Sequence, residues 1–349
     1  MADLAALITD AGTGLDRIGW TTAEPFVDVR SQIEARVDTG MSGRLGFTFS
    51  DSHRSTTPAA SWPWARAIVV GLRSYLPDAG TPTGHGRIAR FAEINHYVPL
   101  RESMERVAAA LRSEGHRAEV VMDDSRLVDR AAAHRAGLAW WGKNTMLLTP
   151  GLGPWFLIGC VVTDVELPPA KTMERDCGTC EACLPACPTG ALVKPGVLDA
   201  RRCLAAILQA PGEIPLDYRV AVGDRIYGCD DCIEACPPGS RLLARSTDER
   251  GSVDPVELLS MGDNDLVERY GHFYLPGGDP RFIRRNALIV LGNTGGEDDL
   301  ILLAGYLLYP DPLLREHARW AIERIGGPVA ERILAGDGAG QSDERPIGK

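Results

Sequence analysis

The sequence predicts an α+β protein made of three successive segments and a short tail. Three observations carry that prediction. Helical and buried-strand patterns alternate through residues 1–166. Eight of the nine cysteines crowd into residues 167–246. A faint 31-residue repeat of helical pattern then occupies residues 247–335, ahead of a polar tail, 336–349, expected to be disordered.

In the first segment, residues 4–18 read as an amphipathic helix and RIGWTTAEPF as a strand leaving it. The apolar run Ala67 to Leu72 suits a strand buried on both faces. YVPLRESMERVAAALRSEGH has helical spacing and a natural stop at Gly115. RAEVVMDD reads as a short strand ending in acid, LVDRAAAHRAGLAWW as helix, and PWFLIGCVVTD as strand. The alternation indicates an α/β or α+β domain.

The second segment is too rich in loops and proline to carry much apolar core, so ligated metal is expected to organise it. Cys177, Cys180, Cys183 and Cys187, followed by Pro188, form the C-x2-C-x2-C-x3-C-P run of bacterial ferredoxins. In two-cluster proteins the fourth cysteine of such a run serves the other cluster. Thiolate is a soft ligand that suits iron–sulfur iron. A structural zinc knot is the alternative, although zinc sites usually use separated C-x2-C pairs. One run cannot complete a cluster. Cys229, Cys232 and Cys236, with Pro237 after them, supply a second run that lacks its leading cysteine, and Cys203 can take that place. The expected sets are Cys177, Cys180, Cys183 and Cys236 for one [4Fe–4S] cluster, and Cys187, Cys203, Cys229 and Cys232 for the other. Cys160 is left over inside an apolar strand and reads as a small buried hydrophobe.

In the third segment, RNALIVLGNTGGEDDLILL aligns with EHARWAIERIGGPVAERIL, pairing Ala287 with Ala318 and Leu291 with Ile322. Stacked helical pairs of the HEAT type have this signature. Two units are too few to stand alone, so the array is expected to lean on the rest of the chain.

Composition narrows the function. The chain carries 37 Lys and Arg against 47 Asp and Glu, a net charge of −10, so its overall field does not attract nucleic acid. No apolar stretch approaches the roughly 20 residues of a membrane span. The N-terminus has neither a basic start nor a small-residue cleavage site, nor a twin-arginine signal, so a cytoplasmic protein without membrane association is expected. In that compartment thiols stay reduced and serve as ligands. Two clusters in series move single electrons. Either the chain is an electron carrier, or the 165 residues ahead of the clusters hold an acceptor site.

The motifs DDSRLVDRAAAHRAGLAWWGKNTMLLTPGLGPWFLIGCVVTD, LDARRCLAAI and GDRIYGCDDCIEACP, with the cysteine run between them, resemble the epoxyqueuosine reductase family from about residue 10 to 335. The resemblance implies a cobalamin- and iron–sulfur-dependent oxidoreductase with two [4Fe–4S] clusters. It implies reduction of epoxyqueuosine to queuosine at the tRNA wobble position. It also implies a flavin-reductase-like α/β domain that holds cobalamin against a ferredoxin-type domain. Asp123 falls on the family's catalytic acid. Opening an epoxide leaves an alkoxide that needs a proton, which a carboxyl with a raised pKa can supply. A plain helix-capping role for this acid is the alternative, open equally to Asp124 or Ser125. The matched cobalamin contacts are Ala89, Asp123, Leu147, Ile158, Ala205 and Asp230, with Arg54 one position away from the family's arginine. DSHRST, 51–56, misses the D-x-H-x-x-G cobalt-ligand motif because Thr56 stands at its glycine, so His53 reads as a surface residue. Where the family reads D-Y-H, this chain has His96, Tyr97 and Val98, so a changed target is a live alternative.

The tRNA anticodon loop is the expected partner, with Arg281, Arg284 and Arg285 as phosphate contacts and Arg315 and Arg319 one repeat later. A small molecule or flavoprotein would supply electrons, and the chain is expected to be a monomer. Two other functions compete: a corrinoid reductase acting on a small molecule in the manner of reductive dehalogenases, and an electron-transfer protein with no substrate. Bound corrin excludes the latter, and tRNA binding disfavours the former.

Overall fold

The computed structural model describes residues 4–76, 82–245 and 251–336, so most of the polar tail lies outside the described residues. Its contacts group into two compact units, each assembled from non-consecutive stretches. The first unit takes in residues 1–81, 89–207 and 229–250, and so joins the α/β segment to the cysteine segment. The second takes in residues 82–88, 208–228 and 251–349.

The first unit is built on a four-stranded antiparallel sheet. Its strands in chain order are β1 (Arg17–Thr22), β2 (Ala67–Ser74), β3 (Ala118–Val121) and, after the short hairpin strands β4 (Trp140–Trp141) and β5 (Leu147–Leu148), β6 (Phe156–Thr163). Their order across the sheet is β1-β2-β6-β3. All three pairings are antiparallel, which decides for α+β. β2 is apolar throughout because both faces are covered. Ala67 and Val69 pack with Leu100, Met104 and Val107 of the helix α2 (Tyr97–Ser113), whereas Ile68, Val70 and Leu72 join Val121, Leu127 and Ala131–Ala133. Gly71 and Gly159 face each other across the β2–β6 register. A Cβ at Gly71 would lie 2.6 Å from the Met104 sulfur, and one at Gly159 2.7 Å from Met104 Cγ. The glycine pair is what lets α2 lie so close to the sheet.

Two helical expectations are shortened. The first helix, α1 (Leu4–Ala11), stops before residue 18 because Gly12 and the left-handed Gly14 (φ 87°) turn the chain into β1. The helix α3 (Asp129–Arg135) is likewise ended by Gly137 (φ 71°), and the two tryptophans that follow it form β4 instead. α2 ends as expected, with Gly115 at φ 87°.

In the second unit, the helices α4 (Arg281–Thr294) and α5 (Leu300–Leu307) both pack against α6 (Pro312–Ile325). The 31-residue repeat is visible in their bounds, since α4 and α6 both span 14 residues and begin 31 apart. Ala287, Ala318, Leu291 and Ile322 are all fully buried, which explains why these positions carry the repeat. A Cβ at Gly292 would lie 2.8 Å from Ala321 Cα, so the helices touch closely there. Among the described residues, no helix is long and apolar enough to cross a membrane.

Candidate metal centre and active site

The cysteine segment folds as turns and short helices, Cys183–Ala186 and Asp231–Glu234 among them, which hold sulfurs at loop ends. The electrostatics of the thiols group them. The Cys236 thiol is pushed up to about 11 by burial and then by Cys177, Cys183 and Cys180. The Cys232 thiol is pushed up by burial and then by Cys203, Cys229 and Cys187, with Cys183 a weaker neighbour. These mutual influences divide the eight sulfurs as the spacing does, and the effect of Cys183 on Cys232 makes the two sets adjacent. No three His, Cys, Asp or Glu side chains converge on a single-ion site among the described residues.

Backbone donors serve the sulfurs as well. Ala191 N–H donates to Cys187 Sγ at 3.2 Å. Burial is the largest influence on Cys187 and raises its pKa, yet hydrogen bonds from Thr189, Leu192 and Ala191 together bring the thiol below its ordinary value. A thiolate ligand benefits from such donors. Trp140, 7% exposed, shares a small buried cluster with Leu148 and Cys236, and its indole N–H has no protein acceptor among the described residues. The sulfur of a cluster is a natural acceptor there, so the site fits an iron–sulfur group. Cys160 is fully buried in β6, opposite Val70 and Val121, away from these loops.

Asp123 follows β3 with φ 48°, a left-handed conformation uncommon outside glycine. It stays open to solvent, but the protein mass around it raises its carboxyl above the usual carboxylate range. Arg130 opposes that shift and Asp124 adds to it. Asp124 differs. Arg126 binds both its oxygens, at 2.7 to 3.0 Å, and adds a backbone N–H, which keeps its carboxyl low. Neither acid caps α3, whose N-cap is Val128 with no side-chain cap bond, so the capping alternative fails.

Tyr75, at the end of β2, was not singled out by sequence reasoning, nor were Arg90 and Arg130. The Tyr75 phenol is raised by burial and by Asp230 and Tyr97, and lowered by Arg130 and Arg90. Arg130 therefore lies within electrostatic reach of both Tyr75 and Asp123. His96 is buried, its ring 5.7 Å from that of Tyr75, whereas Val98 is 50% exposed. A tyrosine closing a buried apolar strand reads in sequence as core, which is why it carried no signal.

The family-matched positions fall in two places. Leu147 is buried in the same core against which the half-buried Ile158 packs. Ala89 and Asp230 are both buried, and Asp230 Oδ2 accepts the N–H of Arg90 at 2.8 Å. Ala205 is half-buried on the helix Leu204–Gln209. Arg90 Nε is buried without a partner among the described residues, and an amide-rimmed macrocycle lying against Ala89 would supply its acceptor, so these residues fit a corrin. Arg54 is exposed and donates to Ser61 Oγ at 3.1 Å, and His53 is exposed beside it.

The arginine row requires a correction. Arg284 and Arg285 were expected on a solvent-facing helix but are 4% and 0% exposed. Arg284 binds Asp263, the Tyr306 hydroxyl and the Leu259 and Met261 carbonyls. Arg285 donates to the carbonyls of Leu208, Ala210 and Gly212 and to Asn286 Oδ1. A guanidinium has five donors, and these carbonyls, left by ended helices and turns, give them acceptors inside the protein. Arg281 is 46% exposed at its side chain and pairs with Asp279 and Asp311. Arg315 is half-buried on the Tyr309 and Pro310 carbonyls, and Arg319 is exposed.

Residues 176–239 match the family model described as a 4Fe-4S double cluster binding domain. The epoxyqueuosine reductase of Bacillus cereus is 31% identical, over 96% of this chain and 89% of that protein. A solved epoxyqueuosine reductase bound to an epoxyqueuosine-modified tRNA-Tyr stem loop superposes with a TM-score of 0.82 at 30% identity, covering 97% of this chain and 94% of that one. A Bacillus subtilis epoxyqueuosine reductase, with its catalytic aspartate loop swung out of the active site, gives 0.81 at 30% identity, over 97% and 95%.

Proposed function

The chain belongs to the epoxyqueuosine reductase family, and from that premise we propose that it reduces epoxyqueuosine to queuosine at the wobble position of tRNA. The observation that carries this reading is the near-complete superposition on a relative solved with its modified stem loop. In the overall reaction two electrons and two protons remove the epoxide oxygen as water and leave a carbon–carbon double bond.

Cys177, Cys180, Cys183 and Cys236 would hold one [4Fe–4S] cluster, and Cys187, Cys203, Cys229 and Cys232 the other. The grouping of the thiols by mutual influence supports this. Ala89, Leu147, Ile158, Ala205 and Asp230 would line the cobalamin site, with Arg90 beside them. Arg54 is the weakest contact on this list. Cobalamin, when bound, supplies a strongly nucleophilic cobalt centre that receives single electrons.

Asp123 is the proton donor in this reading. Its raised carboxyl holds a proton closer to neutral pH than an ordinary aspartate does, and its exposure leaves it accessible to substrate. Arg130, beside it, would favour negative charge on the opened epoxide oxygen. Asp124 cannot substitute, because Arg126 holds it ionised. Of the surface arginines, Arg281 and Arg319 remain candidates for tRNA backbone contacts, and the paired helices would form a HEAT-like support for them. The protein would work in the cytoplasm, where its tRNA is.

The test is turnover of anaerobically reconstituted protein, loaded with cobalamin and supplied with a chemical reductant, on tRNA bearing epoxyqueuosine. Mass spectrometry of the digested nucleosides should show loss of one oxygen from the modified base. Binding of the tRNA without that loss would overturn the reaction, and failure to bind any tRNA would favour a small-molecule substrate.

A further inference from the structure

The hairpin β4–β5 touches both cysteine loops, and no role has been given to it. At its turn, Lys143 Nζ donates to the carbonyl of Gly178, between Cys177 and Cys180, at 2.9 Å. Trp140, on the first strand, brings its unpartnered indole N–H into the buried cluster that contains Cys236. Lys143 and Trp140 thus meet opposite ends of one ligand set.

The turn is held firmly. Met146 N–H donates to Asn144 Oδ1, Gly142 N–H to the Met146 carbonyl, and Gly196 N–H to the Lys143 carbonyl. Thr145 sits at φ 65°, a conformation that persists only where neighbours enforce it. Asn144, 4% exposed, also donates to the Cys232 carbonyl at 3.3 Å. The lysine is therefore carried by a rigid element, and its side chain is only 22% exposed. Its carboxylate neighbour among the described residues, Glu181 at 3.5 Å, is 57% exposed and hence largely screened by water.

We infer that this hairpin tunes one of the two clusters, with Lys143 and the Trp140 N–H raising the potential of the cluster on Cys177, Cys180, Cys183 and Cys236. Reduction adds a negative charge to a cluster. A fixed cation and a hydrogen bond to sulfur both favour the reduced form, and Lys143 and Trp140 bring both to the first set. The inference rests on the iron–sulfur reading above but does not depend on the identity of the substrate.

The experiment is an EPR-monitored redox titration of anaerobically reconstituted protein, with iron and sulfide measured for every variant. Lys143→Gln should lower one of the two waves and leave the other in place. At a fixed applied potential the shifted cluster's reduced-to-oxidised ratio should fall about tenfold, which is about 59 mV for a one-electron couple. Lys143→Arg should leave the wave in place, Glu181→Gln should raise it slightly, and Trp140→Phe should lower the same wave by less than Lys143→Gln does. Unmoved waves in Lys143→Gln, or equal shifts of both, would overturn the inference. So would loss of iron in that variant, which would make Lys143 a structural clamp. Wild-type protein that binds no iron and sulfide would instead sink the ligand reading on which the inference stands.

Discussion

The cysteine segment and the paired helices of the second unit solve one problem in opposite ways. In residues 177–203 and 229–236 the turns present sulfurs grouped in two sets, with N–H donors to them. α4 and α6 are held by fully buried apolar positions and by arginines sealed inside on carbonyls and a carboxylate. The same residue types therefore mean different things in the two regions. A cysteine in the loops is a proposed cluster ligand, and the one in β6 is core. An arginine on a helix that reads as amphipathic can be a buried cross-brace instead of a surface charge.

The largest effect should come from the sulfurs. Cys203→Ala should abolish turnover and lower iron from about eight to about four atoms per chain or fewer, because one cluster loses a ligand. Cys160→Ala should leave iron unchanged, since Cys160 lies in the core of the sheet. Iron loss in the Cys160 variant would break the contrast between loop and core cysteines.

Next comes Arg285, which tests the helical side of the comparison. Arg285→Ala strands the Leu208, Ala210 and Gly212 carbonyls in the interior and should destabilise the second unit by about 3–5 kcal/mol, measured by urea denaturation. A change below about 1 kcal/mol, combined with weakened tRNA binding, would return this arginine to the surface role that its burial contradicts.

The third effect sharpens the contrast between two adjacent acids. Asp123→Asn should keep iron and cobalamin but lower turnover by about 100-fold, or about 2.7 kcal/mol. Asp124→Asn should reduce turnover less, because its carboxylate is engaged by Arg126. The raised Asp123 pKa fixes the sign of the pH effect. In wild type the active, protonated form is lost as pH rises through that pKa, so turnover falls on the alkaline side. The Asn variant should lack that limb of the profile, and its persistence would assign the proton elsewhere.

Periodicity and spacing made a good part of this molecule legible in the sequence. β2 and β6 were readable because burial on both faces leaves an unbroken apolar run, and α2 because its buried residues recur at helical spacing. The double-cluster character of residues 176–239 was readable because a ferredoxin-type run leaves its fourth cysteine for another cluster. The 31-residue repeat was readable because Ala287 and Ala318 fill equivalent buried positions.

What the sequence could not determine was which polar groups face inward. Arg284 and Arg285 are locally indistinguishable from surface charges, and only the carbonyls of distant residues, brought up by packing, make their burial tolerable. The asymmetry between Asp123 and Asp124 likewise required Arg126 and Arg130 to be set in space, since spacing in sequence does not say which acid a guanidinium will bind. Local pattern determined the elements and the metal-binding chemistry. Tertiary structure alone decided which charges remain free to act, because solvation depends on what lies within a few ångströms, whatever its distance along the chain.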